Sequence, residues 1–303
     1  MSKRVEVALE SYRLAQYAVQ VPCYICEEGN TFDAEYCRYC YAPLALAHQA
    51  NSQKVRPLMV AAIGASGVGK TVYLGMLMDM LSRRSGRLQL LARGAFSITL
   101  QQTTLAALSK CEFPEKTANE PDTWNWVHAQ IKSPARKKPT ELILPDMAGE
   151  AVLEEINHPF TYRVIRSMLA KCAGVMILVD APRLERGSGE QDFFTMKLLS
   201  YLSELDTDPK RGWRNRPVSV IFSKADMCPD CIEDPDGFAR QHAAGLYKHC
   251  QQRFAKHAYF SAGVAGACGA REEFGVGLVQ VPLRIEPHGI TEPFEWLLSQ
   301  IKV

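Results

Sequence analysis

The sequence lacks any apolar run long enough to cross a bilayer. It also lacks an apolar leader, since the opening residues MSKRVEVALESYRLAQYAVQ carry Glu6 and Glu10 where a secretory segment is purely apolar. These two absences predict a cytoplasmic protein with no membrane span. Net charge is nearly absent as well, at +2 over 303 residues, so the overall balance argues neither for nor against nucleic acid. The 47% hydrophobic content suffices for one large core plus a small appendage, or for two modest domains. Cysteine, by contrast, is abundant. Ten of them in a reducing compartment point to metal or free thiols rather than disulfides.

Val5, Leu9, Tyr12, Ala15 and Val19 recur at three- and four-residue intervals, which predicts an amphipathic helix within residues 1–19. Cys23, Cys26, Cys37 and Cys40 follow as two C-x-x-C knuckles separated by ten residues. Each knuckle can aim two thiolates at one ion, and together they complete a closed tetrahedral shell suited to structural zinc. This segment, residues 20–46, resembles a zinc ribbon. Its one basic residue, Arg38, stands among Glu27, Glu28, Asp33 and Glu35, a balance that opposes phosphate contact and favours a partner protein over nucleic acid. Residues 47–56 lose apolar periodicity and run up to Pro57, as a linker would.

Residues 57–303 form the main unit. An apolar run, Leu58 to Ile63, leads into GASGVGKT, which fits G-x-x-x-x-G-K-[ST]. A strand feeding such a loop at a helix start cradles phosphate with the backbone of Gly64, Ala65, Ser66, Gly67, Val68 and Gly69, with Val72 just beyond. Lys70 would reach the β- and γ-phosphates, and the Thr71 hydroxyl would ligate Mg²⁺. Next, the run Glu141 to Leu144 delivers Asp146-Met147-Ala148-Gly149-Glu150. Asp146 can hold the Mg²⁺ shell, and the Gly149 N–H can meet a γ-phosphate. Two further apolar strands, GVMILVD and VSVIF, follow, the second leading into Ser223-Lys224-Ala225-Asp226. A carboxylate at Asp226 can accept both N–H groups on the guanine edge while the Lys224 stem lies along the base. After a short strand, His257 to Phe260, Ser261-Ala262-Gly263 could offer the Ala262 N–H to the guanine carbonyl. A Gly/Ala-rich loop, an alternating strand through Val279, Val281, Leu283 and Ile285, and a last helix close the chain.

GASGVGKT, DMAG, SKAD and SAG, in this order and each at a strand end, resemble the motif series of the TRAFAC-class, Ras-like P-loop GTPases. The resemblance implies an α/β Ras-like domain with a mostly parallel six-stranded sheet, binding GTP or GDP with Mg²⁺ at the strands' C-terminal edge. Three departures stand out. Ser223 replaces the usual Asn or Thr. The stretch before Asp146 is long, which points to Thr117 as the switch threonine and leaves Thr123 and Thr140 as rivals. Glu150 stands where many relatives carry Gln or His, and no arginine of the chain can be placed beside it. A zinc ribbon ahead of such a domain is loosely similar to bacterial GTPases of defence-type loci. The implied function is a slow, partner-stimulated GTPase switch whose ribbon and N-terminal helix contact a partner protein. An ATP-using enzyme sharing only the cradle and a non-catalytic scaffold with structural nucleotide are the alternatives. Cys228 and Cys231 form a lone C-x-x-C that His249 and Cys250 could complete as a second metal site, while Cys111, Cys172 and Cys268 read as buried or free thiols.

Overall fold

The computed structural model describes residues 20–53, 57–83, 88–133, 139–205, 212–273 and 277–301. The expected N-terminal helix lies outside these residues.

The ribbon opens with an antiparallel hairpin, β1 (Gln20–Pro22) and β2 (Gly29–Thr31), and passes into helix α1 (Leu44–Gln53). Most of the stretch expected to be linker is therefore helical. Leu44, Leu46 and Ala47 are buried, so packing sustains a helix that sequence periodicity did not announce.

The main sheet contains β3 (Leu58–Gly64), β4 (Gln89–Arg93), β5 (Asn125–Lys132), β6 (Thr140–Asp146), β7 (Gly174–Asp180), β8 (Val218–Ser223), β9 (His257–Glu273) and β10 (Gly277–His288), in the order β10-β9-β8-β7-β3-β6-β5-β4. Five central strands, from β9 to β6, are parallel. β5 runs antiparallel to β6, β4 to β5, and β10 to β9. The sheet thus has eight strands among the described residues rather than six, and its margins are antiparallel. The main surprise is residues 263–273, expected as a Gly/Ala-rich loop, which extend β9 and pair with β10. Small side chains carry no alternation to announce a strand; here the backbone ladder does the holding, and Leu283 of β10 lies against Gly269.

Alternation within the central strands sends side chains to two faces. Met59, Ala61 and Ile63 of β3 join one buried cluster, and Val60 and Ala62 join the other. The second face carries α2 (Lys70–Arg83), α3 (Gly94–Ser109) and, by chain order, the terminal helix α11 (Glu292–Gln300). Between these, α4 (Gly149–Asn157), α5 (Arg163–Lys171), α6 (Ala181–Glu185), α7 (Gly189–Glu204), α8 (Pro229–Glu233), α9 (Pro235–His242) and α10 (Ala244–Arg253) cover the first face. α9 and α10 are separated at Ala243 because the Asp192 carboxylate accepts from the N–H groups of Gly245 and Leu246, at 3.2 and 2.7 Å, and starts α10 afresh.

The ribbon shares the first-face core. Cys23, Ile25, Cys37 and Leu44 belong to the same buried cluster as Met147, Ala148, Val164 and Met168. The Tyr24 ring meets Trp126 of β5 edge-on at 6.4 Å, Arg163 of α5 lies 4.7 Å over Tyr39, and Lys171 pairs with Glu27 at 2.8 Å.

Candidate nucleotide site

The parallel strands end in register along one edge. Asp146 of β6 is paired opposite Ala62, Gly64 opposite Leu178, Asp180 opposite Ser223, and Ser223 opposite Ala262. Chain order reverses beside β3, which places the cradle at the crevice where α/β sheets bind ligands. An open cavity of about 470 Å³ sits there, lined by Ser66 to Tyr73, by Gly149 and Glu150, by Lys224 and Asp226, and by Ala262. Its size suits a nucleotide.

Gly67 and Gly69 hold φ of +72° and +89°, which turns successive N–H groups toward one point. Lys70 closes the loop, its Nζ donating to the carbonyls of Gly64 and Ala65 at 3.1 and 3.2 Å. Burial pulls the Lys70 pKa down, while the charges of Asp146 and Glu150 oppose that.

Thr71, Thr117 and Asp146 converge. The Thr71 and Thr117 hydroxyls lie 3.0 Å apart and donate to Asp146 Oδ2 at 2.8 and 3.1 Å. Burial pushes the Asp146 carboxyl up, although Lys70 and the two hydroxyls work against it. Its Oδ1 is buried without a hydrogen-bond partner. Two hydroxyls and a carboxylate oxygen left unsatisfied are hard donors, the set that Mg²⁺ takes. The long stretch before β6 reaches the site because buried Trp124 donates from Nε1 to the Ala118 carbonyl at 2.9 Å, pinning the residue beside Thr117. The rivals stay away from the cluster: Thr123 donates to Glu120 O within its own turn, and Thr140 begins β6.

Gly149 presses onto the cradle. A Cβ there would lie 2.6 Å from Ala65 C and Ser66 N and 2.7 Å from Gly64 O. Glu150 is exposed. Desolvation opposes its ionisation, but a hydrogen bond to Ser66, its own backbone N–H and the charges of Lys70 and Lys116 prevail and hold the carboxyl below its usual range.

Lys224 adopts a left-handed φ of +58°, which costs about 1–2 kcal/mol in an L-residue. The conformation carries its Nζ to Gly67 O at 2.8 Å and to Asp180 Oδ2 at 2.6 Å. Ser223 still braces the loop, donating from Oγ to Val179 O at 3.1 Å. Asp226 lines the cavity. Burial pushes its carboxyl up, with His288 and Lys224 opposing. Ala262 lines the cavity beside it, whereas Ser261 pairs with Phe222 one position short of the wall.

Sequence reasoning missed Asp180 and Arg183. For Asp180 the signal was present, since GVMILVD ends a buried strand in a carboxylate at the same edge as the other motifs; nothing local marked Arg183.

The four ribbon thiols form the only group of three or more potential ligands among the described residues, with sulfurs all within 4.8 Å of one another. Cys23 and Cys40 are 3.7 Å apart and Cys26 and Cys37 3.5 Å. A tetrahedral zinc with four thiolates requires about 3.8 Å, so the donor set fits zinc. The Ile25 N–H and Asn30 Nδ2 donate to Cys23 and Cys37 sulfurs at 3.4 and 3.6 Å, as thiolates in a metal shell require. Cys228 and Cys231 acquire no further ligands among the described residues: Cys228 faces Glu185 at 3.5 Å, His249 bonds to Gly245 O, and burial pushes Cys250 up to about 12. Cys172 is buried, Cys111 exposed, and Cys268 half-buried against the cavity.

No helix among the described residues is long and apolar enough to cross a membrane. Against known proteins, the sequence pattern of the family described as Double-GTPase 1 matches residues 61–212, half of the chain. No curated protein matches. Among solved structures, that of a nucleolar GTP-binding protein 1 from Plasmodium falciparum is similar over 81% of this chain and 86% of that chain, at 10% identity and a TM-score of 0.41.

Proposed function

We propose, from the premise that the chain belongs to the Double-GTPase 1 family, that it is a GTP-binding switch that hydrolyses GTP slowly and is accelerated by a partner protein. The convergence of Thr71, Thr117 and Asp146 beside the cradle carries this reading, because it joins the cradle, the long insertion and β6 through one cluster that a metal–triphosphate would complete. Thr71, Thr117 and Asp146 would hold Mg²⁺, which when bound neutralises charge on the β- and γ-oxygens. Lys70 takes the β- and γ-phosphates, and the Gly149 N–H takes the γ-phosphate. Loss of that contact after hydrolysis frees the Thr117 loop and α4 to rearrange.

Asp226 accepts from the guanine N–H groups, Lys224 lies between base and cradle, and the Ala262 N–H offers a donor to the guanine carbonyl. An ATP-using enzyme has no use for this arrangement. The ribbon serves as a partner-facing module: Phe32, Tyr36, Tyr39 and Tyr41 are exposed on it, beside acidic Asp33 and Glu35. Locating the work in the cytoplasm is part of the same proposal.

Titration of a fluorescent GDP into the full chain, competed with GTP and ATP with and without Mg²⁺, tests the reading. GTP and GDP should compete, ATP should not, and Mg²⁺ should tighten GTP. Lys70→Ala should abolish binding. ATP competing as well as GTP would refute guanine selection, and normal GTP binding by Lys70→Ala would refute the cradle.

A further inference from the structure

Asp180, at the C-terminal end of β7, is 2% exposed and organises two cations around one glycine of the cradle. Its Oδ1 caps α6 by accepting from the Arg183 N–H at 3.0 Å. Its Oδ2 accepts from Lys224 Nζ at 2.6 Å and lies 3.7 Å from Arg183 Nε. Lys224 Nζ also donates to the Gly67 carbonyl at 2.8 Å. Arg183 Nη2 sits over the other side of the same residue, 3.8 Å from where a Cβ on Gly67 would be. Gly67 has no such atom, so the guanidinium looks across an open Cα into the cavity, whose wall includes Arg183 and Arg186. One buried carboxylate thus caps the helix that carries Arg183 and stands 3.7 Å from its Nε, while its Nη2 lies beside Gly67 of the phosphate cradle.

We propose that Arg183 is the chain's own transition-state cation for GTP hydrolysis, and that Asp180 is its positioning residue. The inference rests on the GTPase reading above. In that reaction the bond between the γ-phosphorus and the β–γ bridging oxygen breaks, and its electron pair goes to GDP. A bond from the water oxygen to the γ-phosphorus forms, and the proton of the water leaves on inorganic phosphate. Negative charge therefore accumulates on the β-phosphate as the leaving group departs. Lys70 meets that charge from beneath the loop; Arg183 is placed to meet it from the side of Gly67. A guanidinium held in advance by a buried carboxylate stabilises developing charge without reorganising, and its planar fork suits phosphate oxygens. Arg183 also supplies the arginine that sequence alone could not place.

The test compares GDP affinity with affinity for GDP plus aluminium fluoride and Mg²⁺, a mimic of the transferring phosphoryl group, alongside single-turnover hydrolysis of GTP. Arg183→Ala should bind GDP within roughly 10-fold of wild type. It should lose roughly 10²- to 10³-fold in both the hydrolysis rate and the fluoride-dependent gain in affinity. Added guanidinium ion should restore part of each. Asp180→Asn, which keeps the shape of the side chain, should show a smaller loss of the fluoride gain with the same sign. Equal loss of GDP and fluoride-complex affinity in Arg183→Ala would make the residue a uniform binding contact and overturn the proposal. So would an unchanged fluoride gain. A wild type that binds GDP yet neither forms the fluoride complex nor hydrolyses GTP would instead refute the hydrolysis reading, and the Arg183 role with it.

Discussion

Replacing Gly149 by alanine should separate GTP from GDP. The added methyl would lie 2.6 Å from Ala65 C and Ser66 N and 2.7 Å from Gly64 O, all of them backbone atoms of the cradle that no side-chain rotation can clear. Ordinary contacts begin near 3.5 Å, so α4 and the cradle must part by roughly 0.8 Å. Overpacking of this kind costs about 1–3 kcal/mol, which lowers the melting temperature of a chain this long by roughly 2–6 °C. The second consequence is specific. Moving α4 withdraws the Gly149 N–H from a γ-phosphate, and a hydrogen bond to a charged group is worth about 1.5–3 kcal/mol, or roughly 10- to 150-fold in affinity. A diphosphate never reaches that N–H. Competition of a non-hydrolysable GTP analogue and of GDP against a fluorescent GDP should therefore show the analogue weakened by that factor and GDP little changed. An unaltered ratio of the two affinities in Gly149→Ala would refute the placement of this N–H.

Asp226→Asn should weaken GTP and favour xanthosine triphosphate in competition, because an amide offers a donor to the xanthine carbonyl where the carboxylate only accepts. Glu150→Gln should leave single-turnover hydrolysis unchanged or faster, since it removes negative charge near the γ-phosphate; a fall of the roughly 10²- to 10⁴-fold typical of positioned bases would show Glu150 acting as one. Metal analysis should find one zinc per chain, and a strong chelator should lower the melting point of the whole chain in a single transition, whereas an unchanged midpoint would detach the ribbon from the body energetically. His128 bonds Glu141 at 2.9 Å, but burial holds its imidazole below the usual value. The unfolded chain then takes up that proton first, so this contribution is full above about pH 6.5 and is lost as pH falls below it. The difference in urea midpoint between pH 7.5 and 5.5 should shrink in His128→Gln, and an equal difference would sink the assignment.

The parallel centre of the fold was legible because β3, β7 and β8 are near-continuous apolar runs, the mark of strands buried on both faces. The placing of the cradle, Asp146 and the Lys224-Asp226 pair along one edge was legible because each motif stands directly after an apolar strand. Nothing in the residues around Thr117 marks it off from Thr123 or Thr140. What brings it to the site is the Trp124 hydrogen bond to Ala118 O, a contact set by tertiary packing with no local signature. The second half of β9 carries no such signal for the opposite reason: Gly263, Gly269 and Ala270 join the ladder through their backbone but give no apolar rhythm. No residue around Arg183 marks it in the sequence, because its place beside the cradle is a tertiary approach of Nη2 to Gly67.

With zinc in the four-thiol shell, the sharing of one core by the ribbon and the body would make metal supply a matter of quality control for the entire chain. Cys23 and Cys37 are buried in the same cluster as Met147 and Ala148, which stand between Asp146 and Gly149 of the candidate site. A chain synthesised without zinc would keep four thiols pressed against that core with no ion to draw them together, and the loosened ribbon would uncover Trp126, against which Tyr24 packs. Proteases recognise such surface and not the defect that caused it. Cells short of zinc should therefore lose the whole chain, nucleotide site included, so that its abundance would track the metal as well as its gene.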